Sequence, residues 1–185
     1  AASDVYKRQQ WVLRTHEHDQ HCPGEGQALA ALGAPVIQHR LPAPGPDWLV
    51  FGNEHLRVLG TPGHTRNCLS FLWRDRLFCG GLLAVDGCAC QPRPAAPEAL
   101  WDSVMHKVFA LPSETLLFSG HVRCGRAVSN VHEQRRWHPW FAGASRDDFL
   151  ARASAPALLS SATDPQGTDA LPYSIQIPGT AAGGY

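Results

Sequence analysis

The sequence lacks an excess of charge of either sign. Its 16 Lys and Arg balance 16 Asp and Glu, and only 17% of its residues are charged. No basic surface is on offer to nucleic acid, and no acidic run forms a solvating tail. No apolar run reaches membrane-spanning length, and no signal peptide is recognisable. There is no C-x-x-C pair. The six cysteines, at 22, 68, 79, 88, 90 and 124, are scattered through apolar or loop settings. Cys88-Ala89-Cys90 has no second pair to complete a zinc site. A chain of 185 residues buries a core without disulfide staples, so free thiols in a reducing, cytoplasmic compartment are expected. No internal repeat is present.

What the chain does have is histidine in suggestive places. Thr15-His16-Glu17-His18-Asp19-Gln20-His21 holds three imidazoles within six residues, directly after the apolar Trp11-Val12-Leu13. His64 stands in Thr61-Pro62-Gly63-His64-Thr65, and His121 in Phe118-Ser119-Gly120-His121. In extended backbone, side chains at i and i+2 point the same way, so His16 and His18 can reach one ion together. Gly63 permits a sharp turn and close backbone approach beside His64. Neutral imidazole suits zinc and iron alike. The other histidines, His39, His55, His106, His132 and His138, read as surface or satisfied core.

The segments around these motifs alternate between strand and helix signals. Residues 11–14 end a strand and the histidine run follows as a loop. A helix is expected over 25–32, stopped at Gly33, then a strand at Val36-Ile37. The proline-rich stretch 41–47 is a loop. Two apolar runs, 48–51 and 56–59, flank the turn signal Gly52-Asn53. Strands are expected at 69–73 and 76–79, joined by a tight turn near Arg74-Asp75. Leu100, Val104 and Val108 place a helix over 98–109. A strand at 115–118 leads to Gly120-His121, and a helix is expected over 127–136, stopped near His138-Pro139. Together these imply an α/β (α+β) domain over 11–150, with mixed sheets and outer helices. Residues 1–10 resemble a translated adapter rather than native sequence, and 151–185 reads as a loop-rich arm.

The histidine motifs carry a resemblance. Thr15-His16-x-His18-x-Gln20-His21 resembles the T-H-x-H-x-D-H motif of the metallo-β-lactamase superfamily, with Gln20 in place of Asp. Thr61-Pro62-Gly63-His64-Thr65 matches that family's T-P-G-H-T. Leu77-Phe78-Cys79-Gly80-Gly81 resembles its strand ending in T-G-D, with Gly81 in place of Asp. Gly120-His121 matches its last histidine motif. Within the superfamily the chain is similar to persulfide dioxygenases (sulfur dioxygenases), relatives of glyoxalase II. That likeness continues through Leu100 to Pro112, through Val128 to Arg135, and at Gly87-Cys88, where the family has G-C-G-R.

The resemblance implies an αββα sandwich with a metal site at one edge, lacking part of its N-terminal β-half. It implies metal ligands at His16, His18 and His64 for one ion, and at His21 and His121 for a second. The dioxygenases would use the positions of His16, His64 and Gly81. Because Gln20 and Gly81 remove carboxylates and Cys90 replaces the loop arginine, one divalent ion (iron or zinc), or none, is expected. The substrate implied is a small glutathione-linked or other thiol-derived molecule. Three readings follow: oxidation of a glutathione persulfide, thioester hydrolysis with one zinc as in glyoxalase II, or an inactive relative or binding domain.

Overall fold

The structure is a computed structural model, and it describes residues 10–17, 31, 33–38, 47–85, 96–120 and 125–155. Residues 1–155 cluster as one unit and 156–185 as another, and every described residue belongs to the first.

The described chain forms two sheets. Strands β1 (Val12–Leu13) and β2 (Val36–Ile37) pair in parallel, Val12 opposite Val36 and Leu13 opposite Ile37. The larger sheet has β3 (Trp48–Phe51), β4 (Glu54–Gly60), β5 (Leu69–Trp73), β6 (Arg76–Gly80), β7 (Leu116–Ser119) and β8 (Val128–Asn130), in that spatial order. All its pairs are antiparallel except β6 with β7, which is parallel. A parallel pair cannot be closed by a hairpin. Between those two strands the chain runs through helix α1 (Pro97–Ser103). The expected turns fall where Gly52-Asn53 and Arg74-Asp75 were read, with Arg74 in the left-handed region at φ 53.

The sheet is apolar on both faces, as a sandwich requires. On one face Ile37 of the small sheet packs with Leu49, Leu56, Val58, Leu69 and Phe71. On the other, Leu77 and Leu117 pack under α1 and under helices α2 (Val131–Trp137) and α3 (Arg146–Ser154). Trp101, Phe141 and Phe149 stack within that second core. Each such side chain, taken fully out of water, contributes about 1.5–3 kcal/mol.

The helix expected over 98–109 forms, but its second half, Val104–Val108, is wound as a π-helix, with Phe109 N donating to Val104 O. The pattern Leu100, Val104, Val108 explains this. A spacing of four overshoots an α-turn by about 40° each time. A wider turn rotates less per residue and cancels the drift. All three side chains thereby reach the core at 0% exposure.

The helix expected over 127–136 starts later. Val128–Asn130 is instead the edge strand β8, with Phe118 opposite Val128 and Leu117 opposite Ser129. The helix begins at Val131, where Asn130 caps it by accepting from Glu133 N. Val128 is β-branched and pairs readily as an edge strand, and Asn favours the cap over the helix interior. Helix α3 was not anticipated. Its sequence signal is a capping box, Ser145 with Asp148. Of the expected helix at 25–32 only residue 31 is described, and of the expected loop at 41–47 only Asp47. Among the described residues, no helix is long and apolar enough to cross a membrane.

Candidate metal site

Two strand ends and one tight loop build the site. His16 follows β1 by three residues, and His64 follows β4 by four. The loop after β1 is tied to the larger sheet, because Leu69 N at the start of β5 donates to Thr15 O at 2.7 Å. Leu69 also ends the loop that carries His64, so one hydrogen bond joins the carriers of both histidines.

The loop from Thr61 to Cys68 is closed by its own polar groups. Thr61 N donates to Cys68 O at 2.9 Å, and Gly63 N to Thr65 O at 3.0 Å. Thr65 meets Cys68 Sγ through its amide at 3.2 Å and its hydroxyl at 3.1 Å. The buried hydroxyls of Thr61 and Ser70 bond at 2.8 Å. Helix α1 then presses onto the loop from outside. Ala96 N donates to Gly63 O at 3.0 Å, and Ser103 Oγ donates to Pro62 O at 2.8 Å. Gly63 sits at φ +146, and a Cβ there would stand 2.3 Å from Leu100 Cα. Only glycine allows the loop and helix to approach this closely.

The result is that His16 and His64 face each other. Their ring centroids are 4.9 Å apart and the rings are nearly perpendicular, at 81°. His64 is 7% exposed, and both its ring nitrogens are out of contact with water. The Thr15 hydroxyl meets His16 Nδ1 at 2.9 Å, which fixes that ring's orientation. Two imidazoles sharing one tetrahedral ion place their ring centres about 5 Å apart, given a metal–nitrogen distance of about 2.0–2.1 Å. The observed separation of 4.9 Å matches that spacing.

A third wall is the turn after β6. Gly80 has φ +55, and a Cβ there would lie 2.3 Å from Thr15 Oγ1. Gly120 N donates to Gly80 O at 2.8 Å. The next residue, Gly81, is buried and brings no side chain to the site. Cys79, on the strand before it, is fully buried, and desolvation pushes its thiol up to about 12. It points to backbone, with Sγ 3.2 Å from Phe118 O. Cys79 and Cys68 are both free thiols.

Of the five histidines singled out in the sequence, the structure brings His16 and His64 together. His18, His21 and His121 lie outside the described residues, as do Gln20, Cys88 and Cys90. Among the described residues, no group of three or more His, Cys, Asp or Glu gathers. The remaining described histidines behave as read. His55, His106 and His132 are exposed, and His138 is buried with both ring nitrogens hydrogen-bonded. Sequence reasoning did not pick out Thr15 or Gly80 as parts of the site. Their signal is adjacency: each abuts a residue that the motifs had already marked. A separate groove of about 240 Å³, lined by Trp11, Leu13, Leu49, Phe51 and Leu56, includes neither His16 nor His64.

No family model matches the chain. Individual proteins do. It is 32% identical over 140 residues to the mitochondrial persulfide dioxygenase of Bos taurus, covering 70% of this chain and 55% of that protein. It is 35% identical over 122 residues to a hydroxyacylglutathione hydrolase of Rhodospirillum rubrum, covering 60% of this chain and 47% of that protein. Among solved structures it is similar to ETHE1 from Myxococcus xanthus, with a TM-score of 0.66 and 29% identity, over 80% of this chain and 71% of that one. The chain thus spans about half the length of the curated relatives it matches.

Proposed function

This chain belongs to the metallo-β-lactamase superfamily, and from that premise we propose that it holds one divalent ion, iron or zinc, between His16 and His64. The single observation that carries this reading is the facing pair of rings, 4.9 Å apart at two strand ends. His18 is the third ligand by alternation with His16. His21 and His121 belong to a second position that lacks the carboxylates at 20 and 81, and that position is not a strong site with two imidazoles alone.

A bound ion would supply Lewis acidity or redox chemistry at the strand ends. The chain's own residues supply the rest. Thr15 orients His16 through Nδ1. The Thr61–Cys68 loop, with α1 behind it, presents His64 from a buried position and keeps water from its ring. Gly81 leaves the third side of the site without a carboxylate to orient a water or take its proton, so turnover is slow.

The substrate class is a small glutathione-linked or other thiol-derived molecule. Relatives named persulfide dioxygenase and hydroxyacylglutathione hydrolase support that class. We favour persulfide oxidation over thioester hydrolysis because the resemblance to the dioxygenases continues through Leu100–Pro112 and Val128–Arg135. The hydrolase reading rests on the relative with the higher identity, 35%. Oxygen uptake with glutathione persulfide, run beside cleavage of a glutathione thioester, separates the two. Oxygen uptake alone supports the first, thioester cleavage alone the second, and neither with metal bound supports a binding domain. Gly81→Asp together with Gln20→Asp should raise bound metal and activity. No rise would contradict the assignment of those positions to the missing carboxylates.

A further inference from the structure

One buried polar pair remains outside the site as described. Gln134 and His138 lie four apart at the end of α2 and share one face of it. They are 4% and 2% exposed. Both reach the same short stretch of chain. Gln134 Nε2 donates to Val85 O at 3.2 Å, and His138 Nε2 is 3.2 Å from Ala84 O. Trp140 N donates to His138 Nδ1 at 3.2 Å. Nδ1 therefore carries no proton, Nε2 does, and the ring donates to Ala84 O as a neutral imidazole.

Ala84 and Val85 lie in the buried stretch that follows β6. At its start Leu82 N donates to Cys79 O at 3.0 Å, and residues 81–85 are all buried. Gly80 precedes it, fixed by Gly120 N and packed on Thr15. Thr15 in turn engages His16 Nδ1. The contacts run without a gap from α2 to the first histidine of the site. Two buried donors on two successive carbonyls fix both the place and the rotation of that stretch. A single apolar contact would leave the rotation open.

We propose that Gln134 and His138 are positioning residues for the metal site. They hold Ala84 and Val85, and through the Cys79–Val85 stretch they set where the Gly80 backbone stands against Thr15 and so how the His16 ring is aimed. The proposal rests on the reading of His16 as a metal ligand, but its geometric core is testable without metal.

The test compares His138→Phe and Gln134→Leu with the conservative His138→Gln, which keeps a donor and an acceptor. Phe149→Leu serves as a control that loosens the same core away from that stretch. The first readout is the pair of ¹⁵N shifts of the His16 imidazole in metal-free protein. The second is zinc affinity by competition titration. His138→Phe and Gln134→Leu should shift the His16 nitrogen resonances and weaken zinc by about 10–100-fold, the range for groups that orient a metal ligand. His138→Gln should largely restore both, and Phe149→Leu should change neither. Unmoved His16 shifts in both variants, with only a lowered Tm, would overturn the proposal. Should His138→Phe not fold, Gln134→Leu carries the same comparison. If wild type binds no zinc while the His16 shifts still move, the positioning role stands and the metal reading fails.

Discussion

Replacing Gly63 by alanine perturbs the site through the backbone alone. The new Cβ would meet Leu100 Cα at 2.3 Å, Leu100 Cβ at 2.5 Å and Leu100 N at 2.7 Å, at a φ of +146 that L-residues rarely adopt. The obstacle is helix backbone, so no rotamer change relieves it. Either α1 retreats or the Thr61–Cys68 loop shifts. Retreat breaks the bonds from Ala96 N to Gly63 O and from Ser103 Oγ to Pro62 O. Backbone strain at such a position costs about 1–3 kcal/mol, and overpacking costs about 1–3 kcal/mol more. The sum, about 2–6 kcal/mol, is a large part of the ~5–15 kcal/mol that holds a domain together. At about 2–4 °C per kcal/mol for a chain of this size, thermal unfolding should fall by roughly 5–20 °C. A shift of the loop also displaces His64 from His16, so metal affinity should fall in whatever protein still folds. Differential scanning calorimetry with zinc titration reads both. A Tm within about 2 °C of wild type, with metal affinity unchanged, would refute the reasoning, because the close approach would then cost nothing.

Two further predictions concern chemistry away from the histidines. The carboxyl of Glu133 is held below its ordinary value of 4.5, first by the Arg126 guanidinium and then by the Ser129 hydroxyl. A folded value below the unfolded one gives stability that is present above the unfolded value and lost as pH falls through the folded one. Melting temperature should therefore decline below about pH 4.5, and Glu133→Gln should flatten that decline; an identical acid limb in the variant would contradict it. The Cys79 thiol, pushed up to about 12 by burial, should resist iodoacetamide at pH 8 until the protein unfolds. Rapid alkylation of Cys79 in the native state, read by mass spectrometry, would contradict its burial.

Much of this architecture was legible in local patterns, and the misses have identifiable causes. Strands β3 to β6 could be read because Gly52-Asn53 and Arg74-Asp75 punctuate apolar runs of strand length. The helix expected from residue 127 began instead at Val131 because pairing with β7 claimed Val128–Asn130, a tertiary contact with no local signature. Helix α3 was missed, and its one local signal is the Ser145 and Asp148 cap. His16 and His64 were legible as candidate ligands from their motifs, and the structure brings their rings together. The parts that hold them in place were less so. Gly80 abuts Thr15 across 65 residues of chain, and Gln134 reaches Val85 from 49 residues away. Such contacts exist only once the sheet has formed. His138 shows the converse limit. The sequence left it as surface or satisfied core; the structure puts it in the core, on a carbonyl that only the folded chain reveals.

The central claim is that His16 and His64 share one ion. Metal analysis of protein purified without chelator, then reconstituted separately with iron(II) and with zinc, tests it most directly. The account predicts close to one ion per chain for at least one of the metals, and loss of that ion in both His16→Ala and His64→Ala. Wild-type protein that stays free of both metals, or a His64→Ala variant that keeps its ion, would contradict it.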